Sequence, residues 1–132
     1  MTCIDVHTHM ISENWIGLVR EHGAPHFAFQ PAPDGGSTLV EDGAVSFTTC
    51  PEMFDYDLRV KDMDAEGIDI SIVSLTAPSV YWGTADVSAA AARAINDDMQ
   101  QGQAAYPDRI RYFATLPWQH AELAVEELAR AC

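Results

Sequence analysis

Two histidines separated by one residue, His7 and His9, are the side chains best suited to do chemistry in this sequence. They follow a short apolar segment, residues 3–6, that is typical of a β-strand. Because alternate side chains of a strand share a face, Asp5, His7 and His9 are expected to point the same way. Neutral imidazoles bind divalent zinc, manganese or iron. The spacing therefore predicts part of a metal site, with Asp5 either orienting a ligand or lying as a polar residue in the protein interior.

The segments that must position these histidines alternate between strands and helices. Apolar periodicity predicts helices at residues 13–22, 57–66, 86–106 and 121–130, and β-branched runs predict strands at residues 68–74 and 110–116. Gly67 is the expected C-cap of the second helix, and Asp86 or Ser88 the expected N-cap of the third. Strands separated by helices predict an α/β fold with parallel pairing and right-handed crossovers.

Residues 23–55 interrupt this alternation. The segment is rich in Gly, Pro and Asp and contains the turn signal Asp34-Gly35-Gly36. Two short β-like runs, residues 37–40 and 44–48, flank Glu41-Asp42-Gly43. This pattern predicts a β-hairpin inside a long loop that is inserted after the first strand and helix.

The composition limits the classes of partner. The chain has 132 residues, with 7 Lys and Arg against 20 Asp and Glu, which gives a net charge of −13. Such a field repels nucleic acid and anionic lipid, so neither is an expected partner. No apolar run reaches the roughly 18 to 20 residues of a membrane helix. The three cysteines are widely spaced and form no C-x-x-C motif, so a cytoplasmic protein without a disulfide framework is expected.

Three parallel strands make a small sheet with exposed edges, which parallel sheets tolerate poorly. The sequence therefore predicts an incomplete barrel. In α/β barrels the active site lies at the carboxyl ends of the strands, where the two histidines are expected.

Four segments resemble one known family. Residues 4–9 (IDVHTH) are similar to the opening strand of the amidohydrolase superfamily, in particular the amidohydrolase-related branch that contains the aminocarboxymuconate-semialdehyde, γ-resorcylate and 5-carboxyvanillate decarboxylases. Similar to the same branch are residues 59–69 (RVKDMDAEGID), residues 95–97 leading to 106–110, and residues 116–119 (LPWQ). The four similarities are collinear and together span almost the whole chain.

The resemblance implies a distorted (β/α)8 barrel that holds one divalent metal ion, zinc or alternatively manganese. His7 and His9 are the first two protein ligands in this interpretation, and they are ligands rather than proton carriers. Further ligands and the catalytic acid or base are expected beyond residue 132. A (β/α)8 barrel needs roughly 250 residues. Residues 1–132 are therefore expected to be the N-terminal part of a truncated barrel, about three of eight βα units, with an insertion at about residues 23–55.

The resemblance implies a metal-dependent decarboxylase of a small aromatic or unsaturated carboxylic acid. Residues 23–55 resemble the inserted loop and hairpin of the decarboxylases, which favours this activity. In the semialdehyde decarboxylase an arginine of this region helps bind substrate, and residues 44–57 contain none, so a different substrate is expected. One alternative is a hydrolase of amides or lactones, in which a metal-bound water attacks. A phosphoesterase with the same H-x-H start is less favoured, and a catalytically incompetent fragment is a third alternative.

The loops after the second and third strands supply candidates for substrate binding. Aromatic side chains there could flank a planar acid, or the same residues could pack against the insertion; the candidates are Thr76, Tyr81, Trp82, Trp118 and Gln119. Arg59 could pair with a neighbouring acid. Asn96 and Arg109 match the family pattern and are interpreted as structural ties between helix and strand. An open sheet edge makes self-association as a homo-oligomer an expected property.

Overall fold

The alternating pattern folds into two small sheets and four helices. The computed structural model describes residues 1–33 and 35–132. In chain order the elements are β1 (Ile4–His9), α1 (Glu13–His22), β2 (Phe27–Pro31), β3 (Ser37–Glu41), β4 (Ala44–Thr48), a 3-10 turn (Pro51–Met53), α2 (Tyr56–Glu66), β5 (Ile70–Ser74), α3 (Ala85–Ala105), β6 (Ile110–Tyr112) and α4 (Ala121–Ala131). The predicted mixed α/β architecture and all four predicted helices are confirmed. None of the helices in the described ranges is long and apolar enough to cross a membrane.

The parallel sheet has the strand order β1-β5-β6, so β5 lies in the centre. Its pairing with β1 is parallel, as is its pairing with β6. The third strand ends at Tyr112 rather than at the predicted residue 116. The chain leaves the sheet there because Thr115 is hydrogen-bonded to Asn96 of α3 instead of to a strand.

Local capping explains the helix limits. Asp55 accepts hydrogen bonds from the first backbone N–H groups of α2, and Gly67 ends that helix with the left-handed φ of 70° that glycine tolerates best. The predicted C-cap is therefore confirmed. The prediction of Asp86 or Ser88 as the N-cap of α3 was wrong, because Thr84 accepts the hydrogen bond from Val87 N. Helix α3 begins earlier than its apolar pattern indicated.

The insertion folds as a separate antiparallel sheet with the order β2-β3-β4. The predicted hairpin is confirmed as β3 and β4, and its turn places Asp42 and Gly43 at the positive φ values of 47° and 85°. Its third strand, β2, was missed by the sequence analysis, which assigned those residues to a loop. The predicted Asp34-Gly35-Gly36 turn includes Asp34, which lies outside the described residues.

Two hydrophobic clusters hold these layers together. One joins α1, the insertion and α3, and its fully buried members include Trp15, Leu39 and Val80. The other lies between the parallel sheet and helices α2 and α3, with Met63, Val73, Ile95, Met99 and Ile110. The insertion is therefore packed onto the α/β layers through apolar contacts, and the sheet is covered by helices on one face.

Asn96 and Arg109 are structural ties, as predicted. Asn96 donates from Nδ2 to Thr115 O (2.9 Å) and to Glu127 Oε1 (2.7 Å), and its Oδ1 accepts from Thr115 N (2.7 Å). Arg109 donates to Asp64 Oδ1 (2.7 Å) and to backbone carbonyls that precede β5. Asn96 therefore connects α3 to α4 and to the segment after β6. Arg109, directly before β6, connects that strand to α2.

Glu127 of α4 is the charged group buried with Asn96, at 2% exposure. Burial by itself raises the pKa of this carboxyl, but hydrogen bonds from Arg130 and Asn96 and the nearby charge of Arg93 outweigh burial and lower the pKa overall. Arg130 donates to both Glu127 oxygens, at 2.8 and 2.7 Å. The buried charge is therefore paired and hydrogen-bonded, as a buried charge must be.

Candidate metal centre

The two histidines of β1 lie side by side. Their ring centroids are 5.1 Å apart, and the ring planes meet at 74°. His7 is exposed and His9 is half-buried. Both belong to the last three residues of β1, at the carboxyl end of the parallel sheet. The predicted pairing of the two imidazoles at a strand end is therefore observed.

Asp5 does not share their face, contrary to the simple alternation predicted from the sequence. Between Asp5 and Thr8 the register with β5 shifts: Asp5 pairs with Ser71 and Thr8 pairs with Val73. Three steps along β1 thus match two along β5, which is the signature of a β-bulge. Ser71 and Val73 face the helices, at 1% and 0% exposure, so Asp5 lies on the helix side.

The carboxylate of Asp5 nevertheless acts on the histidine segment. Its Oδ1 accepts a hydrogen bond from His7 N at 3.0 Å. This bond satisfies a backbone donor in the bulge, where the ladder is interrupted. Asp5 therefore supports the backbone that carries His7, and no contact to an imidazole nitrogen is present among the described bonds.

His9 is held by two neighbouring elements. Its Nδ1 lies 3.2 Å from Ser74 O and 3.3 Å from Ser74 Oγ, at the end of β5. Its backbone carbonyl accepts a hydrogen bond from Arg59 Nη2 of α2 at 3.1 Å. Arg59 thus binds the histidine strand rather than the neighbouring acid that the sequence suggested. Ser74 was missed by the sequence analysis, although its position at the carboxyl end of a strand was a usable signal.

The donor set fits two positions of a divalent metal site. Imidazole nitrogen is a common ligand of zinc and manganese. Catalytic zinc sites usually have three protein ligands and one open position. Within residues 1–33 and 35–132, no group of three or more His, Cys, Asp or Glu is placed to hold a metal ion. His7 and His9 therefore match two ligands of such a site in donor chemistry.

One of the substrate-binding candidates, Trp82, is buried in the packing of a loop. Trp82 is 6% exposed, donates from Nε1 to Ser79 O at 3.0 Å, and meets the Phe27 ring edge-on at 6.4 Å. Gln119 donates to Val80 O at 3.1 Å but remains exposed. Trp82 belongs to the cluster that holds the insertion, which was the alternative interpretation of these loop residues.

Like Gln119, the other three candidates keep accessible surface. Tyr81 and Trp118 are 53% and 67% exposed, and Thr76 is half-buried directly after β5. Tyr81 borders a cavity of about 420 Å³ together with Trp82 and insertion residues such as His26 and Asp42. The described lining of this cavity includes neither of the strand-end histidines, so Tyr81 is not brought together with them by this cavity.

Comparison with known proteins assigns the family. No protein-family model matches the chain. The 2-amino-3-carboxymuconate-6-semialdehyde decarboxylase of Caenorhabditis elegans is 31% identical over 126 residues, which cover 93% of this chain and 31% of that protein. The γ-resorcylate decarboxylase of Polaromonas sp. is 46% identical over 76 residues, which cover 56% of this chain and 23% of that protein. The chain thus spans about a third or less of the length of these curated relatives.

A solved structure extends the similarity to the whole chain. The dihydroxybenzoic acid decarboxylase of Polaromonas sp., with bound manganese and the inhibitor 2-nitroresorcinol, is 31% identical. Its superposition has a TM-score of 0.68 and covers 98% of this chain and 35% of the other. The chain therefore belongs to the amidohydrolase-related family that contains these decarboxylases.

Proposed function

We propose that this chain is the N-terminal part of a divalent-metal-dependent decarboxylase that acts on a small aromatic or unsaturated carboxylic acid. The observation that carries the proposal is the pair of imidazole rings, 5.1 Å apart at a strand end, in a chain homologous to decarboxylases. The relatives named above act on acids of this kind, according to their names.

The proposal includes a (β/α)8 barrel of which this chain supplies about three of eight units, with the insertion after the first strand. The order β1-β5-β6 with helical crossovers supports it. So does the uncovered face of the sheet: Ile4 pairs with Ile70, on the side opposite the helix-covered Ser71, and remains 49% exposed. In a complete barrel, side chains on that face are packed in the interior.

His7 and His9 would hold the metal ion, which we propose to be zinc, with manganese as the alternative. A bound divalent cation supplies Lewis-acid chemistry, since it stabilises negative charge that develops on a substrate oxygen. Each histidine uses a nitrogen lone pair to bind the metal ion, and neither histidine transfers a proton to or from the substrate. Manganese is supported by the Polaromonas structure, which has that metal bound.

Substrate contact is proposed for the exposed residues Tyr81, Trp118 and Gln119 and for the half-buried Thr76. Their side chains are accessible and lie in loops after β5 and β6. A planar acid can stack on such rings. The group that protonates the carbon after CO2 departs is expected outside these 132 residues.

The test is a paired assay, with zinc or manganese, of the protein in which this chain is part of a complete barrel. CO2 release from γ-resorcylate and related aromatic acids is followed beside hydrolysis of amides and lactones. The proposal expects metal uptake and CO2 release, both lost in His7→Ala and His9→Ala and kept in His22→Ala, a control at an exposed histidine of α1. Hydrolysis alone would replace the decarboxylase with a hydrolase, and failure of turnover of either kind would support the incompetent fragment.

A cytoplasmic location and self-association are part of the same proposal. Cys3, Cys50 and Cys132 are free and exposed, which suits a reducing compartment. Strands β1 and β6 lie at the two edges of the parallel sheet and could pair with another copy. Nucleic acid and membrane surfaces remain unexpected partners because of the net charge of −13.

A further inference from the structure

Ser74 contacts both Thr8 O and His9 Nδ1, and these contacts can be satisfied together by one arrangement of hydrogen-bond donors and acceptors. Ser74 Oγ lies 3.4 Å from Thr8 O, and a carbonyl oxygen can only accept, so this contact is a hydrogen bond when the hydroxyl hydrogen points to Thr8. The lone pairs of Oγ are then free to accept from His9 Nδ1, 3.3 Å away. Ser74 O, 3.2 Å from the same nitrogen, is also an acceptor only.

Two acceptors therefore face one ring nitrogen of His9. A nitrogen lone pair directed at a carbonyl oxygen would be repelled, whereas an N–H group is satisfied by it. Which nitrogen of a neutral imidazole carries the proton is set by the hydrogen bond that the ring makes. The surroundings of Nδ1 thus favour the tautomer with the proton on Nδ1 and the lone pair on Nε2.

We infer that Ser74 is a positioning residue that fixes His9 in the Nδ1–H tautomer and so prepares Nε2 to bind the divalent metal ion. The inference rests on the proposed function for its consequence, although the tautomer is a property of the chain itself. A ligand histidine usually donates its second N–H to an oxygen that orients the ring. Arg59 adds a second restraint, since its bond to His9 O holds the strand end against α2.

Ser71 provides a matched control on the same strand. It is 1% exposed, faces the helices rather than His9, and its hydroxyl is without a hydrogen-bond partner in the described part of the chain. Ser71→Ala removes the same atom as Ser74→Ala, three residues earlier. Ser74→Thr keeps the hydroxyl and has a high strand preference, so it serves as the conservative rescue.

The tautomer is measured by long-range ¹H–¹⁵N correlation on the ¹⁵N-histidine-labelled chain, about two pH units above the ordinary histidine pKa of about 6.5. His9 is assigned from the spectrum of His9→Gln. The expected result is one tautomer with the proton on Nδ1 in the wild type and in Ser71→Ala. Ser74→Ala should show a measurable share of the Nε2–H form, and Ser74→Thr should restore the wild-type pattern.

Zinc and manganese affinities of the same four variants are then measured in the protein with a complete barrel, by competition with a chelator. Loss of an orienting partner typically weakens metal binding 10–100-fold. Because Ser74 O remains in Ser74→Ala, we expect the lower end, about tenfold, with no change in Ser71→Ala. A wild-type proton on Nε2, or a Ser74→Ala chain with unchanged tautomer and affinity, would overturn the inference. A wild-type protein with a complete barrel that has the Nδ1–H form but binds neither metal would instead refute the proposed function.

Discussion

Replacing Asn96 by Ala should destabilise the chain by about 3 to 4.5 kcal/mol. The side chain is 1% exposed and makes three hydrogen bonds, two with Thr115 and one with the Glu127 carboxylate. Neutral bonds contribute about 1 kcal/mol each, and a bond to a charged group about 1.5–3 kcal/mol. The better helix propensity of Ala returns about half a kcal/mol. The net loss is a large fraction of the 5–15 kcal/mol that is usual for a domain.

The assay is urea unfolding followed by far-UV circular dichroism at neutral pH. Gln100→Ala is the matched control, an exposed position of the same helix where a change within about 0.5 kcal/mol is expected. Amide hydrogen exchange gives an independent measurement, because Thr115 N–H loses its acceptor in Asn96→Ala and should exchange faster. A loss below about 1 kcal/mol, or an effect equal to that of the control, would contradict the assigned role of these bonds.

Three further outcomes are expected. Gly102→Ala should destabilise the chain by about 1–3 kcal/mol, because the new Cβ would lie 2.2 Å from the Tyr56 ring. Gly17→Ala has nothing within 4 Å of its Cβ and should stabilise the chain by about 0.5–1 kcal/mol. The midpoints of urea unfolding compare the two variants. The fold lowers the pKa of Glu127, so the ionised carboxylate should stabilise the chain above the ordinary pKa of about 4.3. This contribution should be lost as pH falls through the lower pKa of the folded state. Unfolding measured across pH should show this loss in the wild type and not in Glu127→Gln. Trp82→Ala should lower the free energy of unfolding, measured by heat or urea, by about 3–5 kcal/mol, as expected for a core tryptophan. An unchanged stability would favour the original assignment of Trp82 to substrate binding.

The helices were predictable because their signals are local. Apolar residues at the helical period, Gly67 after the second helix and the proline that follows the third are all visible in a short window of sequence. Helix α1 begins and ends at the predicted residues. Only the N-cap of α3 was misassigned, since Thr84, Asp86 and Ser88 are all residues that cap helices well.

The errors in the strands have a nonlocal origin. The bulge that turns Asp5 to the helix side is a mismatch with β5, more than sixty residues away, and nothing in residues 4–9 alone reveals it. Strand β2 has the alternating pattern Phe-Ala-Phe-Gln, but it is short and ends in Pro31, which is unfavourable inside a sheet. It forms because β3 pairs with it along five residues.

The part of the candidate site that lies on a single strand could be located from the sequence. His7 and His9 could be found from their spacing and position, and the comparisons agree with the family that this motif indicated. Trp82 was a poor candidate because composition does not distinguish a loop aromatic that meets substrate from one that meets the core. Ser74 and Arg59 act on His9 from other elements, so their roles required the fold.

The long separation between His9 and Ser74 has a consequence for synthesis on the ribosome. The two residues are 65 positions apart, whereas β2, β3 and β4 are contiguous and can pair as soon as they emerge. At about 5–20 residues per second, translation needs about 3–13 s to deliver the partner of the histidine strand. During that interval both imidazoles are on an unpaired nascent segment, before Ser74 is available to hold the His9 ring.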